Sequence, residues 1–247
     1  MYYYIAEPPT NKRNQITLTK LRAKLAPSGV AGEFVYRTPG QQAFQLATKA
    51  IASGFNTIIA IGGEKLFNEV SGALYDQQVA LGLIPMDESK DFENIIGYDM
   101  INDAIEAIRR RKLVLKDVGT INGEHFFLKD ANVRSNIVEQ LYLHTANFSA
   151  QIKTKQLNMV LPANDVPIDI PGVINFIVPK FANSPLWLKN FFSKRVLNID
   201  TQIRSETAVI QAKNECGVFI ANTKIATTPF TINILPQSLR LIVRRQD

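Results

Sequence analysis

The chain is poor in the residues that usually staple or metallate a fold. Its 247 residues include one cysteine, Cys216, two histidines and one tryptophan. A lone cysteine excludes an internal disulfide and a multi-cysteine metal site, and it suits a reducing compartment. His125 and His144 stand 19 residues apart, so a histidine-based zinc site would need both of them and carboxylates besides. With 13 Gly and 12 Pro, the chain is neither collagen-like nor low-complexity. No uncharged apolar run reaches the ~18 residues of a membrane span. The start, Met1-Tyr2-Tyr3-Tyr4, lacks the basic segment and cleavage site of a secretory signal, and the sequence is therefore read as cytoplasmic.

What is present describes a globular protein. Hydrophobic residues make up 46% and charged residues 20%, too apolar for a disordered chain. At this size nearly three quarters of the unfolded surface, about 11,000 Å² remaining from about 40,000 Å², can be buried. The length favours two domains. The net charge of +6 is unevenly spread: residues 1–110 hold 11 basic and 12 acidic side chains, for −1, and residues 111–247 hold 17 and 10, for +7. Such an excess draws a protein toward phosphorylated ligands, anionic lipid or nucleic acid, or simply keeps it soluble.

The first 110 residues alternate strand-like and helical runs, the signature of βα units on a mostly parallel sheet. Strands are expected at Tyr2 to Ala6, Glu33 to Tyr36, Thr57 to Ile61 and Ala80 to Ile84. Helices are expected at Ile16 to Leu25, Gln41 to Ala52, Leu66 to Leu74 and Tyr98 to Arg110. From Leu113 onward the period shortens to two, which predicts a mostly β second domain. Its candidate strands are Val114 to Val118, Glu124 to Leu128, Val138 to His144, Gln151 to Lys155, Val173 to Val178, Ala208 to Ala212, Val218 to Ala221 and Leu239 to Arg244. The division falls at 1–112 and 113–247.

The strongest local feature runs from Ile58 to Val70, where an apolar strand meets Gly62-Gly63 and then a helix. That arrangement aims backbone N–H groups and a helix dipole at the carboxyl edge of the sheet, a natural phosphate site, although Gly-Gly after a strand also makes a plain tight turn. Gly62-Gly63-Glu64-Lys65-Leu66-Phe67-Asn68-Glu69-Val70 resembles the G-G-D-G-T-x-x-E-V segment of the diacylglycerol kinase catalytic domain family, which includes sphingosine kinases and bacterial lipid kinases. Pro85 to Phe92 is similar to its P-L-G-T-x-N-D-F stretch, keeping Pro85, Asp91 and Phe92. Asp117-Val118-Gly119-Thr120-Ile121-Asn122-Gly123-Glu124-His125-Phe126 resembles its D-x-G-x-x-N-G-x-x-F segment, and Thr228 to Val243 its closing strands.

The resemblance implies an α/β domain of diacylglycerol kinase and NAD kinase type, a sandwich-like β second domain, and a cleft between them where lipid and ATP meet. Members pass the γ-phosphoryl group of Mg-ATP to a lipid hydroxyl, chemistry that needs close backbone approach to phosphates, a metal and a base. Much of that equipment is altered here. Glu64 replaces the aspartate and remains the candidate catalytic carboxylate; Lys65 replaces a glycine and Leu66 a threonine. Asp87 and Glu88 bring negative charge toward the expected triphosphate, and Lys90 takes the asparagine position. The family's N-P-x-S-G reads Glu7-Pro8-Pro9-Thr10-Asn11, and its acidic D-G-E turn falls on Ala221-Asn222-Thr223.

The nucleotide-binding candidates that the resemblance implies are Thr10, Lys12, Thr38, Gly62, Gly63, Lys65, Glu69 and Asp91, with Glu69 alternatively only fixing the turn. Two outcomes follow. One is a catalytically impaired lipid-kinase homologue that binds lipid or nucleotide, or serves as an assembly subunit with a protein partner or a second copy. The other is an active kinase that uses ATP and Mg, with Glu64 at the metal and Lys65 on phosphate. A helix expected at Pro185 to Val196 carries Trp187, Phe191 and Phe192 on one face and Lys189 and Lys194 on the other. Trp187, Lys189, Phe191 and Lys194 are candidates for peripheral membrane contact, and core packing is the competing reading. The clusters Arg109 to Lys112 and Arg244-Arg245 lack interleaved aromatics, which argues against nucleic acid.

Overall fold

In the computed structural model, residues 1–38, 40–86, 92–98, 100–161, 172–179 and 199–244 are described. The first half begins with strand β1 (Tyr2–Ala6), helix α1 (Lys12–Leu25), β2 (Gly32–Tyr36), α2 (Ala43–Ala52), β3 (Thr57–Gly62), α3 (Glu64–Leu74) and β4 (Ala80–Pro85). The four strands lie in the order β2-β1-β3-β4, all parallel. Every residue of β3 is buried, as a strand covered on both faces requires. Helix α1 starts four residues before its apolar spacing suggests, because Asn11 caps it: Oδ1 accepts the Asn14 N–H at 2.8 Å, satisfying one of the four free donors of a helix start.

The short helix α4 (Glu93–Ile96) ends at Gly97, whose φ of 79° stops it in the left-handed conformation. Helix α5 (Ile101–Arg110) follows, so the expected helix from Tyr98 begins three residues later. Tyr98 is held instead by its hydroxyl, which donates to the Leu83 carbonyl at 2.8 Å. A buried phenol needs such a partner, and that bond fixes the residue before the helix starts.

The second half is mostly strand: β5 (Lys112–Ile121), β6 (His125–Phe127), β7 (Asp130–His144), β8 (Ser149–Val160), β9 (Ile174–Pro179), β10 (Ile199–Ser205), β11 (Thr207–Ala212), β12 (Gly217–Ile220), β13 (Thr223–Thr227) and β14 (Phe230–Val243). Hydrogen-bonded neighbours run β10-β9-β8-β7-β11-β14-β4-β3-β1-β2; the β5-β6 pair branches from β14, and the β12-β13 hairpin from β7. Strand β14 joins the halves. It pairs antiparallel with β5 along most of its length and, through Arg240 and Leu241, parallel with β4. Leu239, Leu241, Ile242 and Val243 accordingly belong to the core of the α/β half, while Phe230, Ile232 and Ile234 belong to a second core built on β7, β8, β9 and β11.

The segment from Asp117 to Phe126 shapes the junction. Asp117 is buried, and its two carboxylate oxygens accept the N–H groups of Gly172 at 2.7 Å and Gln237 at 2.8 Å. The second bond pins β14 where its register with β5 shifts between Leu235 and Leu239. Any Cβ on Gly119 would overlap the Phe127 ring. Asn122 and Gly123, at φ 54° and 72°, form the turn between β5 and β6, with both central residues left-handed as tight hairpins favour.

Candidate functional site

Helix α3 carries the site. It starts directly after β3, with Gly63 as its N-cap in extended conformation and no side chain to satisfy the first N–H groups. Leu66, Phe67, Val70 and Leu74 are buried, and they fix the helix against the sheet. On its other side α3 meets β6. A Cβ on Gly72 would overlap the Phe126 ring, and Tyr75 stacks on that ring with centroids 5.2 Å apart. Asn68 Oδ1 accepts the Leu128 N–H at 3.1 Å. The same helix thus presents the glycine turn and joins the two halves.

Between these halves lies a cleft of about 660 Å³. Phe44, Tyr75, Phe126, Ile220 and Ile225 make its apolar wall, and Lys65, Asn68 and Glu69 contribute from α3. The far side is the β12–β13 turn. Ala221 and Asn222 there have φ of 48° and 61°, and Ala221 and Thr223 face the cleft where the D-G-E turn is expected. Glu124 and His125 complete the rim. Asn68 is 4% exposed, and its Nδ2 has no hydrogen-bond acceptor. A buried donor left unsatisfied costs ~1–3 kcal/mol.

The other expected residues divide. Gly62 ends β3 and Gly63 caps α3. Glu64 is the first residue of α3, half-buried, where a carboxylate complements the helix dipole. Lys65, next on the helix, is exposed at the cleft. Glu69 holds two partners already: Oε2 accepts the Ala43 N–H at 2.9 Å, and Oε1 pairs with Arg37 at 3.4 Å. It thereby caps α2, which has no cap from its own Gln42. Thr38 donates its hydroxyl to Gln41 Oε1 at 3.0 Å and is exposed. Thr10 and Lys12 sit at the exposed start of α1, apart from the residues lining the cleft. Asp91, with Asp87, Glu88 and Lys90, lies outside the described residues, as do Trp187, Lys189, Phe191 and Lys194 and the helix expected around them.

Two residues of the site go beyond the sequence expectations. One is Asn68, whose signal is a lone amide amid the apolar side chains of α3. The other is Glu7, which stands where the resemblance calls for asparagine. Its Oε2 accepts the Gly63 N–H at 3.1 Å, and a Cβ built on Gly62 would lie 2.6 Å from the same oxygen. The Glu7 carboxylate thus takes the Gly63 N–H and the space beside Gly62. Among the described residues, no three His, Cys, Asp or Glu side chains gather into a metal-holding group, and no helix is long and apolar enough to cross a membrane.

Comparison with known proteins agrees with the motifs. Residues 5–121 match the model of the diacylglycerol kinase catalytic domain. Two curated proteins named "Probable lipid kinase YegS-like", from Yersinia pestis (strain Pestoides F) and Yersinia pseudotuberculosis serotype O:1b (strain IP 31758), are each 31% identical over 88 residues. Those 88 residues are 34% of this chain and 30% of each relative's length. A crystal structure of a diacylglycerol kinase from Bacillus anthracis str. Sterne shares the fold, with a TM-score of 0.76 at 18% identity, covering 98% of this chain and 96% of the other. Residues 5–121 match the diacylglycerol kinase catalytic domain family, and the chain as a whole shares the fold of solved diacylglycerol kinases.

Proposed function

We propose that this protein is a diacylglycerol kinase-like protein, impaired in phosphoryl transfer, that holds a lipid with an anionic or acceptor-rich head in the cleft beside α3. One observation carries the reading. The cleft wall is apolar, through Phe44, Tyr75, Phe126, Ile220 and Ile225, while Lys65 brings a charged donor and Asn68 a polar side chain on the α3 side. An apolar cavity with a few convergent polar groups selects a ligand of the same polarity pattern. Impairment is supported by the turn opposite, where Ala221-Asn222-Thr223 offers no carboxylate. Relatives named as lipid kinases belong to a family that works with ATP and magnesium, and the Glu7 carboxylate on the Gly63 N–H supports the impaired reading here.

The test is calorimetric titration of dioctanoyl phosphatidic acid and of dioctanoyl glycerol, with a phosphoryl-transfer assay using labelled Mg-ATP on the second. The expected result is saturable binding, weakened at least tenfold by Lys65→Gln for the anionic lipid, with no labelled product. Steady transfer of label to the glycerol lipid would overturn the impaired reading. Absence of binding by either lipid would overturn the cleft assignment.

A further inference from the structure

Glu7 is held by the fold from both sides. Its N–H donates to the Ile61 carbonyl at 2.9 Å, and Pro8 follows, which restricts Glu7 to an extended backbone. From that fixed position the side chain turns back to the glycine turn 56 residues on, where Oε2 accepts the Gly63 N–H at 3.1 Å. Gly63 is the N-cap of an 11-residue helix and provides no cap of its own. A helix start of this kind attracts an anion through its free N–H groups and its dipole. The chain supplies one itself.

The neighbouring glycine points the same way. At Gly62 a Cβ would meet Oε2 at 2.6 Å, Cδ at 2.8 Å and Cγ at 2.9 Å, so the missing side chain leaves room that the Glu7 carboxylate fills. Glu64 adds a second negative charge in the first turn of the helix. Arg37 pairs with Glu69 instead, and Lys65 is exposed toward the cleft. A phosphate entering the turn would therefore face like charge and lose the N–H donor that usually greets it.

We propose that Glu7 is a built-in substitute for phosphate: its carboxylate occupies the Gly62–Gly63 turn and makes the turn exclude polyphosphates. Glu7 thus determines specificity, reversing the preference of an anion-binding turn while leaving the fold around it intact. The assignment is independent of which lipid the cleft takes.

The experiment titrates metal-free sodium tripolyphosphate and ADP into the full chain and into Glu7→Gln and Glu7→Ala, with the Gly63 amide followed by two-dimensional NMR. Glu7→Gln keeps the shape and an acceptor but removes the charge; Glu7→Ala removes both. The expected result is at least tenfold tighter tripolyphosphate binding in Glu7→Ala than in the native protein, with an intermediate gain in Glu7→Gln and a shift of the Gly63 amide on binding. Equal affinity in all three, or binding in the variants that leaves the Gly63 amide unmoved, would overturn the proposal. Should Glu7→Ala fail to fold, Glu7→Gln decides alone, since loss of charge by itself predicts a gain. Dioctanoyl phosphatidic acid titrated into the same samples reports on the cleft separately, so failure of the lipid reading leaves the tripolyphosphate result standing.

Discussion

Asn68 Oδ1 accepts the Leu128 N–H at 3.1 Å across 60 residues of sequence, joining α3 to the end of β6. Leu128 is 7% exposed, so its N–H has no easy recourse to water. Asn68→Ala leaves this buried donor without its acceptor, at a cost of ~1–3 kcal/mol, but it also removes the unsatisfied Nδ2, a relief of similar size. The net change should therefore be under about 1 kcal/mol; urea unfolding measures it, and a loss of about 3 kcal/mol would refute the unsatisfied Nδ2.

Glu69 is expected to matter for stability before it matters for any ligand. Glu69→Ala removes the cap on the Ala43 N–H together with the Arg37 pair, whose side chains are only 22% and 23% exposed. A loss of about 2 kcal/mol is expected, since hydrogen bonds to charged groups contribute ~1.5–3 kcal/mol. Arg37→Ala alone should cost less, because the cap survives. A melt unchanged in Glu69→Ala, paired with altered ligand affinity, would instead place this carboxylate at the ligand.

Ala221 pays for its position in the β12–β13 turn. With φ at 48° its Cβ crowds the backbone, a strain of ~1–2 kcal/mol that glycine does not bear. Ala221→Gly should raise the melting temperature by roughly 2–4 °C per kcal/mol recovered in a chain of this size, with part of the gain offset by the greater freedom of glycine in the unfolded chain. A lower melting temperature would refute the strain.

Acid titration should single out Glu106. Hydrogen bonds from Arg109 and then Arg110, at 2.7 Å and 2.6 Å, hold its carboxyl down to about 2. A folded value below the unfolded one gives stability that is present above the unfolded pKa of ~4.3 and is lost as the pH falls toward 2. The carboxylate is open to solvent on one side, so the effect should be small and weaken with salt. Carboxyl NMR provides the check: Arg109→Gln with Arg110→Gln should return the titration midpoint to the ordinary glutamate range.

Much of the fold was legible because local chemistry dictated it. The buried run of β3 and the glycine turn after it each show in a few adjacent residues. So do the motif residues at the junction: Gly119 leaves space for Phe127, and Asn122 and Gly123 adopt the left-handed turn that their residue types favour. Strands β10 and β13 escaped notice. In β13, Thr223 to Thr227 places a single isoleucine among small and polar residues, so period-two alternation is too short to register, and its pairing with β12 supplies the order. The site was legible only in outline, since Glu7 and Asn68 take their roles from partners 56 and 60 residues away, distances at which residue type gives no hint of contact.

The path of β14 has a consequence for how the protein comes into being on the ribosome. The edge of β4 and the length of β5 both wait for residues 230–243, made long after either strand. A fragment ending at residue 121 would contain the whole matched catalytic-domain stretch and still expose the apolar edge that Leu239, Leu241 and Ile242 cover. Such an edge is open to pairing with other chains. The α/β half therefore reaches its final state only when β14 has been made and has paired with β4 and β5.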